Sequence, residues 1–145
     1  MHISELRLNE ITFTHEDDST KELTTFAVER IAEYIKSNSG LQKYRIPVDL
    51  VHAEFIARNR GIEKHRLVRL LALDASEVNP IIVLAMPDGT HLIVDGNHRY
   101  LRAALREEPY VIANILERAE WEPFVVEGVP AELALFSLIG HSGIE

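Results

Sequence analysis

Six consecutive residues, Asp95, Gly96, Asn97, His98, Arg99 and Tyr100, place a carboxylate, a bare backbone position and two basic side chains within about one turn of chain. They follow the strand-like run His91 to Val94 and precede Leu101, Ala104 and Leu105 at helical spacing, so a strand hands over to a helix there. A helix start leaves backbone N–H groups without intrahelical partners and carries partial positive charge. Gly96 gives a ligand access to the backbone, His98 and Arg99 add donors in the first turn, and Arg102 lies one turn beyond His98. Gly96, Asn97, His98, Arg99 and Arg102 are therefore expected to form a phosphate cradle. Asp95, at the carboxyl end of the strand, is the expected Mg2+ ligand, because magnesium is commonly held by one or two carboxylates plus waters and phosphates. The competing reading makes Asp95 or Asn97 a helix cap and Gly96 a turn residue. Basic side chains in a first turn oppose the helix dipole, which argues that an anion belongs beside them.

The elements that must position this segment are legible around it. Ile81 to Leu84 is a β-branched run expected to be a buried strand, Pro87-Asp88-Gly89-Thr90 a turn, and His91 to Val94 its hairpin partner. The helix after Asn97 runs to about Arg106 with Leu101, Ala104 and Leu105 inward, and a further strand spans Tyr110 to Leu116. Upstream, a strand is expected over Ile3 to Thr14, a loop over His15 to Thr20 and a helix from Thr24 to Ser37, stopped by Asn38-Ser39-Gly40. Tyr44 to Val51 reads as a short strand around Pro47, and His52 to Gly61 as a functional loop. Ile62 to Asp74 has helical spacing at Leu67, Val68, Leu70 and Leu71, with a basic outer face that is either an anion contact or a solvated surface. Trp121 and Phe124 are expected to close the core, and Pro130 to open a last helix to about Ile139, followed by a loose tail. Hairpin and strand–helix units together indicate an α+β (mixed α/β) fold rather than a doubly wound sheet.

Composition narrows the function classes. A chain of 145 residues suits a single domain spanning 1–145. The absence of cysteine excludes disulfides, thiolate metal sites and cysteine nucleophiles, and the histidines show no zinc spacing. No apolar run approaches membrane-spanning length and the N-terminus lacks a secretory pattern, so a cytoplasmic protein is expected. With 15 basic and 23 acidic residues the net charge is −8, which disfavours bulk nucleic-acid binding while allowing a small anion at one basic pocket. Walker and dinucleotide glycine patterns are lacking.

Asp95-Gly96-Asn97-His98-Arg99-Tyr100, preceded by Pro80-Ile81-Ile82-Val83 and followed by Leu101, Ala103, Ala104 and Val111-Ile112, resembles the ParB/sulfiredoxin superfamily. The likeness covers about residues 45–117 and leaves 1–40 as an N-terminal extension. It implies a small mixed sheet flanked by helices, with a nucleotide (ATP, ADP or CTP) and Mg2+ at Gly96 to Arg99. Sulfiredoxins carry Gly-Cys-His-Arg, and Asn97 in place of that cysteine excludes sulfinic-acid reduction. The free-serine kinases of the superfamily carry Asp-Gly-His-His-Arg, close to the present motif, and use a glutamate in a His-Glu motif as base. His52-Ala53-Glu54 is the nearest counterpart, with one residue intervening. The resemblance thus implies phosphoryl transfer to a small-molecule acceptor, or nucleotide hydrolysis, with Asp95, Glu54 and His98 as catalytic candidates. Its alternatives are a non-catalytic nucleotide- or DNA-associated module and a nuclease. The acidic chain and the short remainder after the motif weigh against DNA.

Overall fold

The computed structural model describes residues 10–17 and 19–126. The chain opens with a hairpin of β1 (Phe13–Glu16) and β2 (Leu23–Phe26), in which Phe13 pairs with Phe26 and Thr14 with Thr25. The buried hydroxyls of Thr14 and Thr25 lie 2.9 Å apart, one bonded to the other. Thr24 to Phe26 are therefore strand and not the expected start of a helix: the consecutive β-branched threonines Thr24 and Thr25 fit a paired strand better than a helix turn. Helix α1 (Val28–Ser37) begins after them, buries Val28 and Ile31, and ends at Asn38 as expected. Of the expected first strand, residues 3–9 lie outside the described residues, and Phe13 and Thr14 belong to β1, which continues through His15 and Glu16 where a loop was expected.

β3 (Lys43–Pro47) stops at the proline, which cannot donate to a ladder. The segment expected as a loop over His52 to Gly61 is instead mostly helix α2 (Leu50–Asn59). Asp49 caps it by accepting from the Val51 amide at 2.9 Å, and Ala53 and Ile56 provide a buried stripe too narrow to stand out among its exposed apolar neighbours. Helix α3 (Lys64–Leu71) buries Leu70, while Val68, expected inward, is 56% exposed. β4 (Ile81–Ala85), the turn at Gly89 with its φ of +88°, and β5 (His91–Asp95) form the expected hairpin. Helix α4 (Asn97–Leu105) follows; Leu101 is buried as expected, but Leu105 is 59% exposed at its last position. β6 (Tyr110–Leu116) and the short α5 (Arg118–Trp121) complete the described chain. The helix expected after Pro130 and the tail lie outside the described residues.

The four-stranded sheet has the order β3-β6-β4-β5, with β6 and β4 parallel and the other pairs antiparallel. This is the α+β (mixed α/β) class expected. Alternate residues of each strand enter different cores. Ile82, Leu84, Val94 and Leu116 pack with the β1–β2 hairpin, α1 and Trp121, whose indole N–H donates to Ala85 O at 3.0 Å. Ile81, Val83, Ile93 and Ala113 pack on the other face with α2 and α4. Trp121 and Phe26 meet edge to face at 5.5 Å, so the tryptophan closes the core as expected.

Gly96 is fixed by packing. Its φ is +115°, and an added Cβ would lie 2.4 Å from Ile81 Cγ2. Gly96→Ala is expected to lower unfolding free energy by about 2–4 kcal/mol, from overpacking plus left-handed strain, read as a reduced urea midpoint. A second expectation concerns acid. The half-buried His52 stacks on Phe55 and meets Tyr100 edge-on. Burial, aided by Arg60 and opposed by Asp49, pulls its pKa below the ordinary 6.5. The resulting stability is present above pH 6.5 and is lost as the pH falls from there through the depressed folded value. Urea midpoints at pH 7.5 and 5.5 are expected to converge partly in His52→Gln.

Candidate functional site

The strand–helix junction owes its geometry to a β-bulge. Between β4 and β5 the register runs Leu84 to Leu92 and Val83 to Ile93, then Ile82 to Asp95, with Val94 as the extra residue. An unbroken ladder would pair Asp95 with Ile81 and turn its carboxylate toward α4. The bulge instead sets Asp95 beside Ile82, on the face covered by α1; re-aiming one side chain is a common role of bulges. Ile82 pairs in turn with Asn114 of β6, and Asn114 with Lys43 of β3. Cross-strand partners point to one side, so Asp95, Ile82, Asn114 and Lys43 form a row across all four strands.

That row is part of a cleft of about 410 Å³ between the sheet and the carboxyl end of α1. The volume falls within the range of small-molecule sites. Ala32, Ile35 and Lys36 of α1 line one wall, Asn38, Ser39 and Leu41 the following turn, and Asn79, Pro80 and Arg99 the inner end. Asp95 and Asn114 are each 5% exposed and Arg99 4%. Arg99 Nη2 lies 2.9 Å from Asp95 Oδ1, and Nη1 donates to the carbonyls of Pro80 at 2.7 Å and Asn79 at 3.2 Å. Asp95 thus places negative charge against the cationic first turn of α4. Gly96 occupies the cap position of the helix, with no side-chain cap bond.

Of the residues singled out from sequence, the structure brings Asp95 and Arg99 to the cleft and disperses the rest. Gly96 is packed on Ile81, and Asn97 is buried at the helix start. His98 is fully buried, and its Nε2 accepts the Glu63 amide at 2.9 Å, which makes it a tether for the start of α3. Arg102 is a second tether: Nε donates to Leu70 O at 3.0 Å, Nη2 to Leu73 O at 2.6 Å and Nη1 to Glu108 at 2.7 Å. It borders, with Arg99, a cavity of only about 70 Å³. Glu54 lies on α2, across the sheet from the cleft, exposed and 2.6 Å from Arg58. It is a surface ion-pair partner and not a base at this site.

Sequence reading missed Lys36, Lys43 and Asn114. Only Asn114 left a signal, as a polar residue inside the apolar run Val111 to Leu116. Both lysines are exposed, and neither makes an ion pair among the described residues. No group of three or more His, Asp or Glu side chains among the described residues is arranged around a metal position. The expected Mg2+ ligand fares poorly on its own chemistry: Asp95 is the one carboxylate lining the cleft, and the Arg99 guanidinium beside it would repel a divalent cation. The residues present do not fit a resident Mg2+. No helix among the described residues is long and apolar enough to cross a membrane.

No protein-family model, curated protein or solved structure matches this chain, so the ParB/sulfiredoxin resemblance rests on the motif and its flanking elements alone.

Removing one member of a buried ion pair leaves the other charge stranded, which typically costs about 3–5 kcal/mol. Asp95→Leu is expected to lower stability by about that much. Asp95→Leu combined with Arg99→Met should recover a large part of the loss, read from chemical denaturation of the single and double variants.

Proposed function

We propose that this chain binds a nucleotide, or a phosphorylated small molecule of similar size, in the cleft between α1 and the four-stranded sheet. One observation carries the reading: within a chain of net charge −8, a cleft of ligand size gathers Lys36, Lys43 and Arg99 around a single, already paired carboxylate. The local sign of charge is opposite to the global one, which favours a small anion over a polyanion. Nucleic-acid binding draws less support. The clustered basic side chains are already engaged internally, Arg102 and Arg106 with the Leu73 carbonyl and Glu108, and Arg66 lying 3.7 Å from Glu63.

Phosphoryl transfer to a small hydroxyl acceptor is the second reading. It draws on Asp95, the carboxylate that the bulge turns into the cleft and a group able to accept a proton at the inner end. Simple binding requires less of the site, since Asp95 is occupied by Arg99.

Calorimetry with ATP, ADP, CTP and GTP, each with and without Mg2+, tests the site. At least one is expected to give a one-to-one isotherm that weakens as salt rises. The reading fails if none binds at low salt. Phosphorus NMR of the bound nucleotide with a pool of small hydroxyl compounds then separates transfer, seen as a new phosphoester signal, from binding alone.

A further inference from the structure

The two ends of the cleft differ in a way that sets the direction of its ligand. At the inner end the Arg99 charge is offset by Asp95 at 2.9 Å, and the guanidinium also serves the Asn79 and Pro80 carbonyls. An anion pressed there would meet the Asp95 carboxylate as closely as it met the cation. Asn114, 5% exposed on the neighbouring strand, offers an amide donor and acceptor at the same depth. The inner end is therefore close to neutral and rich in hydrogen-bonding groups. The mouth is the reverse: Lys36, on the last turn of α1, and Lys43, on the edge strand β3, are exposed and make no ion pair among the described residues. Between the two ends Ile35 and Leu41 give apolar walls.

From this polarity we infer that the ligand enters neutral end first, with its planar or polar head against Asp95, Asn114 and Ile82 and its phosphate groups held at the mouth by Lys36 and Lys43. The inference rests on the nucleotide reading above and reverses the placement implied by the motif, in which phosphates lie on the helix opening at Asn97. It also assigns a role to the chain before residue 45, outside the family resemblance, where both anion-binding lysines are found. The head group is one that pairs with a carboxylate and an amide, such as a base presenting adjacent donors and acceptors.

The experiment compares wild type with Lys36→Ala/Lys43→Ala by calorimetry against ATP, CTP, adenosine, cytidine and inorganic tripolyphosphate. Both lysines are exposed and outside the core, so the double variant is expected to fold, which circular dichroism checks. The expected result is a loss of about tenfold or more in affinity for the nucleotide that binds and for tripolyphosphate, with a shallower salt dependence. The matching nucleoside should bind both proteins equally, and Asn114→Ala should weaken nucleotide and nucleoside alike. If a nucleotide binds and the double variant retains its full affinity, the orientation is overturned while the nucleotide reading stands. If tripolyphosphate binds and is lost in the double variant while no nucleotide binds, the lysine site is upheld and the nucleotide reading is not. Absence of binding by every probe overturns both.

Discussion

Two opposite charges held 2.9 Å apart in the interior, Asp95 at the end of β5 and Arg99 one turn into α4, constrain everything around the cleft. Removing both from water carries a large desolvation cost, which their attraction repays only at short range and with further hydrogen bonds. The Asn79 and Pro80 carbonyls supply those bonds, so the pair also fixes the entry into β4. A buried ion pair is a weak device for stability alone, since apolar residues of similar volume often do as well. Its effect here is geometric: strand end, glycine turn, helix start and the neighbouring strand's approach are held in one arrangement.

The sheet separates two kinds of work. On the side of α2, α3 and α4, polar groups from the motif hold helices together: His98 takes the start of α3, Arg102 its end, and the Tyr100 hydroxyl accepts the Asp49 amide at 2.8 Å. On the side of α1, the row from Asp95 to Lys43 is left facing open volume. A single six-residue motif thus feeds both faces, because helical and strand periodicities send neighbouring side chains in different directions.

The hairpin of β4 and β5, the helix α4 and the strand β6 were legible because each carries a local signal: β-branched runs, a Pro-Asp-Gly turn, a glycine before a helical pattern. The α+β class follows from their order. Helix α2 was not legible because its apolar residues fall on both sides, with Leu50, Val51 and Phe55 exposed and Ala53 and Ile56 inside. β2 was hidden by its merger with the helical pattern of α1. In the site, Asp95 and Arg99 were found by type and spacing. Lys43 and Asn114 join them only through pairings among strands about 30 to 70 residues apart in sequence, together with one extra residue in β5, and Lys36 through the packing of α1 over that face. No local pattern encodes that. Arg102 departs from its expected role for the same reason, since long-range packing gives its guanidinium the carbonyls of Leu70 and Leu73, whereas Glu54 lies across the sheet beside its helical neighbour Arg58.

The tethering of α3 has a bearing on the order in which the molecule is assembled. An eight-residue helix is too short to persist by itself in water. The carbonyls at and just beyond its end, those of Leu70, Leu71 and Leu73, accept from Arg102 and Arg106, 29 to 35 positions later in the chain. During synthesis, residues 64–73 therefore have no finished partner until the ribosome has delivered the helix that carries those arginines. The persistence of helix α3 is therefore tied to α4, which the chain supplies only after the hairpin that ends in Asp95.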